Sequence, residues 1–182
     1  MCFCLQEKGA DMRLFHVSEE SGIRVFEPRI PLRKDLDQTV GLVWAIDEKR
    51  LPNFLTPRDC PRVTYHVGEN TTEEDRKRFF SSPGVSHVVI LEHRWFPAML
   101  DTVLHLYEFN PGEFTLQDDI AGYYVSSSVQ IPVAEYEIKN PLQALIDRGV
   151  EVRFTDRLWE AAGEVKASTL NWSLCRMGYA QP

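Results

Sequence analysis

Apolar positions along this chain recur mainly at period two, in short runs, and only briefly at the period of a helix. Residues 13–17, 62–67, 85–92, 102–109 and 150–154 are rich in β-branched and aromatic side chains, which predicts strands. Residues 40–46 are continuously apolar, the pattern of a strand buried on both faces. A short edge strand is expected at 114–116. Two extended segments are expected at 122–128 and 129–138, with Pro132 at a bend. The turn chemistry of residues 18–22 ends the first strand, and Pro28 and Pro31 keep residues 23–32 extended and irregular. Asp47 begins a short helical turn to Arg50, a short crossing surrounds Pro97, and Asn110-Pro111-Gly112 forms a turn.

Helical signals are fewer. Thr71 or Thr72 caps a polar helix over residues 73–80, with Asp75 three positions after Thr72. Asn140 and Pro141 start a second helix that Gly149 stops, and Leu142, Leu145 and Ile146 make its apolar face. A third helix follows a Thr155 cap, covers Leu158 and Trp159 and ends near Gly163. A fourth is expected over residues 167–177. Strands do not alternate strictly with helices, which argues against a doubly wound sheet. The expected fold is α+β: a single domain over residues 12–182 with a mainly antiparallel, bent or split sheet and short flanking helices. Residues 1–11 show no periodicity and are expected to be a dispensable arm.

Composition narrows the function classes. With 182 residues the chain buries enough surface to fold without a metal or disulfide. Its formal net charge of −7 argues against broad binding to a nucleic-acid backbone. No run approaches the length of a membrane span, and the opening residues lack a leader pattern. Cys2, Cys4, Cys60 and Cys175 show no paired metal or redox spacing and read as free thiols. A cytoplasmic location is the resulting expectation.

The common phosphate-loop, dinucleotide, serine-hydrolase and zincin motifs are missing. Candidate chemistry therefore rests on single residues. The five histidines, His16, His66, His87, His93 and His105, have no metal-ligand spacing, and no metal site is expected. Metal-assisted hydrolysis would need several of them to converge; His66 and His105, on separate strands, could meet. His16 and Ser18 share one face of the first strand and could present an imidazole and a hydroxyl to a ribose, or serve as a structural histidine and a turn cap. Tyr65, Tyr123 and Tyr124 offer flat rings with polar tips, but adjacent strand residues face opposite ways, so only one of Tyr123 and Tyr124 can line a given pocket. Arg58, held among prolines, could present its guanidinium to a phosphate or carboxylate, or join a local network with Asp59.

The segments around residues 14–29, 42–63 and 121–133 resemble those of a small bacterial family of unknown function. More distantly, Leu14-Phe15-His16-Val17-Ser18 resembles the early strand of ADP-ribosyltransferase-type domains, in which the His holds the NAD ribose. That resemblance implies a cleft that binds NAD or another nucleotide around His16, Ser18, Tyr65 and Tyr124, with Arg58 on phosphate. Residues 122–126 align with the strand that usually carries a catalytic Glu, and here Tyr124 stands in its place. A neutral phenol cannot supply the same charge, although Asp118, Asp119, Glu135 and Glu137 lie near in sequence. Two functions stay open: NAD-linked glycosyl transfer, or a non-catalytic ligand-binding or protein-interaction module on the same fold.

Overall fold

The alternating segments form ten strands in two sheets in a computed structural model that describes residues 12–32 and 34–182. Sheet 1 contains β1 (Leu14–Ser18), β2 (Val43–Asp47), β5 (Leu104–Phe109), β6 (Thr115–Asp118), β7 (Tyr123–Ser126) and β8 (Ala134–Ile138). Its order is β6-β7-β2-β1-β5-β8, antiparallel throughout. Sheet 2 contains β3 (Arg62–His66), β4 (His87–Glu92), β9 (Glu151–Thr155) and β10 (Asn171–Cys175), in the order β10-β3-β4-β9. Its β4–β9 pair is parallel and the others are antiparallel. The molecule is a single α+β domain. The proposed arm, residues 1–11, lies outside the described residues.

Period-two alternation sorts the side chains into three cores. Phe15, Leu104 and Leu106 of sheet 1 face Val89 and Leu91 of sheet 2, with Leu51, Leu55, Met99 and Leu145 filling the space between. Val63, Tyr65, Val88 and Ile90 point to the other side of sheet 2, where Phe79, Leu158 and Val165 cover them. Leu14, Val43, Ala45, Tyr107 and Phe109 point outward from sheet 1 and are covered by Phe114, Ile23 and Phe26. Each fully buried Leu, Phe or Ile in these layers contributes roughly 1.5–3 kcal/mol of apolar burial.

Helix boundaries follow local chemistry. In α1 (Glu73–Phe79) the Thr72 hydroxyl accepts from the Asp75 N–H at 3.2 Å, with acids in the first turn and bases in the last. The short α2 (Phe96–Asp101) carries Pro97 in its first turn. In α3 (Pro141–Asp147) the Asn140 side chain accepts from the Gln143 N–H at 2.9 Å. The next helix, α4 (Leu158–Lys166), begins later than its expected cap: Thr155 ends β9, and Arg157 occupies the cap position without a side-chain bond.

The expected helix over residues 167–177 is the main correction. That segment forms β10, which pairs along β3 from Asn171↔His66 to Cys175↔Arg62. The unpaired edge of β3 satisfies its backbone groups, a gain that outweighs the weak local preference for helix. Thr169 anchors the approach, donating its N–H to Asp75 at 2.7 Å, and Arg176 ends the strand in a left-handed conformation. Among the described residues no helix is long and apolar enough to cross a membrane.

Candidate functional site

The outer face of sheet 1 gathers three of the expected site residues. Leu14, His16 and Ser18 alternate onto that face, where Tyr124 packs beside Leu14 and Ala45. The His16 Nδ1–H donates to the Trp44 carbonyl at 3.0 Å, which assigns the ring's proton to Nδ1. Burial lowers its pKa, and Arg29 lowers it further, against the raising effect of that carbonyl. Ser18 Oγ accepts from the Glu20 N–H at 3.0 Å and caps a turn. Burial and the nearby Asp47 and Asp119 carboxylates raise the Tyr124 phenol above its ordinary pKa, so it is neutral.

A strap formed by residues 19–32 closes this face. Phe26 sits in its centre, 4.9 Å from the His16 ring, 5.2 Å from Tyr107 and 5.0 Å from Phe109. The strap is tied at several points. The Tyr107 hydroxyl donates to Glu20 O at 2.7 Å and accepts from the Ile23 N–H at 3.1 Å. Glu135 Oε1 accepts from the Gly22 N–H at 3.2 Å and lies 2.8 Å from His105 Nδ1. Phe26 and Gln130 exchange backbone bonds. The Glu135 carboxylate thus shares the outer face, but its partners are the strap and His105.

Tyr65 lies elsewhere. It is fully buried on the far side of sheet 2, 5.8 Å from Phe79 and 5.5 Å from Phe80. Its hydroxyl donates to Phe79 O at 2.7 Å, and burial pushes the phenol up to about 12. Arg58 has an exposed side chain in the loop before β3, and its N–H donates to Glu19 Oε1 at 2.6 Å, beside the end of β1. The fold therefore joins His16, Ser18 and Tyr124, sets Arg58 at their border, and separates Tyr65 from them. It also separates His66 from His105, which occupy different sheets. Tyr123 points to the opposite face from Tyr124, against Trp44 at 5.2 Å and Phe54 at 5.4 Å.

A cleft of about 470 Å³ opens where the two sheets diverge. The end of β2 supplies Glu48, Lys49 and Arg50; the facing ends of β3 and β4 supply His66 and His87; the α3–β9 connection supplies Arg148 and Gly149. His66 and His87 are cross-strand partners with ring centroids 5.7 Å apart. They are only 4% and 8% exposed. His87 Nε2–H donates to Asn53 Oδ1 at 2.7 Å, and Asn53 is itself held in the 3-10 turn Leu51–Phe54. The Nε2 atom of His66 is buried and has no hydrogen-bond partner.

Burial lowers the His66 pKa to about 3, with the Arg50 charge and His87 adding to the effect. Burial and Arg50 lower His87 to about 4. Both imidazoles are neutral at physiological pH, offering hydrogen bonds rather than charge. The charge comes from the guanidiniums. Arg50 donates through Nε to Ile120 O at 3.1 Å, and a Cβ at Gly122 would lie 2.5 Å from its Cγ, so this arginine is wedged in place. Arg148 donates through Nη1 to Ala144 O at 2.8 Å, and Gly149 makes the tight turn beside it at φ 71°. Glu48 on the rim is paired to Arg13 at 2.9 Å. Among the described residues no group of three or more His, Cys, Asp or Glu side chains forms a metal site.

Local patterns along the chain do not assemble this cleft. Its one legible signal was a histidine at the end of each of two otherwise β-rich segments; their register across β3 and β4 was not encoded locally. The model of a family of unknown function, DUF6886, matches residues 15–180. The chain belongs to that family. Neither a curated protein nor a solved structure shows a significant match. The family match thus spans both sheets, the outer face with its strap and the cleft together.

Proposed function

We propose that this protein binds a small phosphate-bearing molecule, of the nucleotide class, in the cleft between the sheets. The carrying observation is the buried, unpartnered His66 Nε2 in a cleft lined by Arg50 and Arg148. A buried polar atom without a partner costs about 1–3 kcal/mol, and a ligand that supplies the bond recovers it. Guanidiniums with unused N–H groups favour phosphate oxygens. The cleft volume of 470 Å³ suits a small ligand. With both imidazoles neutral, the cleft is arranged for recognition, and the reading is that of a ligand-binding module.

The test is thermal stability of the full chain with AMP, NAD or inorganic phosphate. A ligand at 100 times its Kd adds about 2.7 kcal/mol of stability. Arg148→Ala is expected to remove that gain while the free protein still melts cooperatively. No stabilisation by any of the three ligands, or full affinity in Arg148→Ala, overturns the reading. A second reading, the ADP-ribosyltransferase-type one, places NAD on the outer face of sheet 1. Its support is the shared face of His16, Ser18 and Tyr124, and it requires Phe26 to leave. Under it, NAD binds and His16→Ala, rather than Arg148→Ala, removes binding.

A further inference from the structure

Among the described residues, the two sheets end on β6 and β8 in sheet 1 and on β9 and β10 in sheet 2. An open strand edge invites pairing with another chain, and charge, bulges or proline usually block it. Three of these edges carry such a block. β6 is short, has a register shift between Leu116 and Asp118, and ends on that acid. Paired antiparallel with its own copy about Tyr136, β8 would set Glu135 against Glu137. Paired likewise about Arg153, β9 would set two guanidiniums face to face. β10, Asn171-Trp172-Ser173-Leu174-Cys175, has no charge and no proline, and its register with β3 is unbroken.

The Ser173 carbonyl faces β3, where Thr64 Oγ1 donates to it at 3.2 Å. By alternation, the N–H and C=O of Trp172 and Leu174 turn to the open edge. We propose that two copies of this chain pair antiparallel through β10 about a two-fold axis at Ser173, so that sheet 2 continues across a dimer. In that register Trp172 meets Leu174 of the partner subunit, and each such pair exchanges both backbone bonds. Both side chains lie on the face that carries Val63 and Tyr65. Leu174 already packs on the core there, whereas Trp172 is 37% exposed. The dimer covers the indole with a leucine and extends that core across the axis. A second copy is the occupant because β10 complements itself: Trp172 meets Leu174, Asn171 meets Cys175, Ser173 meets Ser173, and no charge opposes a like charge. The inference is independent of the cleft reading.

The experiment is sedimentation velocity of the full chain at concentrations up to about 100 μM, which reaches weak dimers. A reversible monomer–dimer equilibrium is expected. Trp172→Lys puts a charge on the open edge and is expected to raise the dimer dissociation constant at least about tenfold. Ser173→Cys, in a Cys175→Ser background, brings one thiol from each copy together as a non-hydrogen-bonded pair. Cα atoms in such a pair lie about 4.5 Å apart, within reach of a disulfide. Mild oxidation is expected to give a reducible covalent dimer that the Cys175→Ser parent does not form, and this variant decides the question if Trp172→Lys does not fold. A wild-type chain that stays monomeric overturns the proposal. So does a dimer undiminished in folded Trp172→Lys protein, and so does a Ser173→Cys protein that yields no more covalent dimer than its parent.

Discussion

On the outer face of sheet 1, the polar groups of His16, Ser18, Tyr107 and Glu135 all have partners inside the protein, and Phe26 fills the space among the rings. Among the residues that line the inter-sheet cleft, His66 keeps a buried nitrogen without a partner. Both places hold histidines whose pKa values burial lowers, so titration does not separate them. Satisfaction does. A paired imidazole against a well-packed ring stabilises the fold; an unpaired one near the Arg50 charge costs stability unless something else completes it.

The sharpest way to break this comparison is to empty the outer face. Phe26→Ala removes the ring that packs on His16, Tyr107 and Phe109, and is expected to cost about 3 kcal/mol in denaturant unfolding, since buried Phe→Ala changes cost 3–5 and Phe26 is only partly buried. Phosphate affinity should not change. A Phe26→Ala protein that folds but loses phosphate would move the ligand site to the outer face.

Acid supplies the next test. His66 and His87 stay neutral in the fold down to about 3 and 4, whereas in the unfolded chain each takes up a proton below its ordinary 6.5. The unfolded state therefore binds more protons below pH 6.5, and stability falls as pH drops from there toward 4. Each histidine contributes a slope of at most about 1.4 kcal/mol per pH unit. Replacing both by Gln should flatten that part of the stability–pH curve measured by urea unfolding. An unchanged curve would show that the two imidazoles are hydrated and not buried in solution.

Smaller effects sharpen the structural character of the outer face. His16→Ala removes the bond to Trp44 O and the contact with Phe26, an expected loss of about 1–2 kcal/mol in stability with AMP affinity unchanged. Ser18→Ala removes only a partly exposed turn cap and should cost about 0.5 kcal/mol. Calorimetry of both variants with AMP checks the comparison, because a tenfold loss of affinity in either would place the ligand on the outer face.

Much of the architecture was legible along the chain. Thr72, Asn140 and Gly149 marked helix ends because capping is a contact between residues a few positions apart. Alternation around Leu14, Tyr65 and Leu106 marked strands and separated Tyr123 from Tyr124 for the same local reason. The shared face of His16 and Ser18 followed too, and so did the alternative that each is a structural group. Residues 167–177 were misread because their conformation depends on β3, more than a hundred positions away.

The sequence by itself determined most element types, most helix ends, the α+β class and which side chains share a strand face, since all of these follow from periodicity and short-range hydrogen bonding. Only the tertiary structure decided that β10 completes sheet 2, that Tyr65 is sealed away from His16, that Phe26 occupies the outer face, and that His66 meets His87 beside Arg50 and Arg148. Those outcomes depend on strand order and register, which are set by the joint burial of three apolar layers and by strand pairing within each sheet, and no local stretch of residues carries that information.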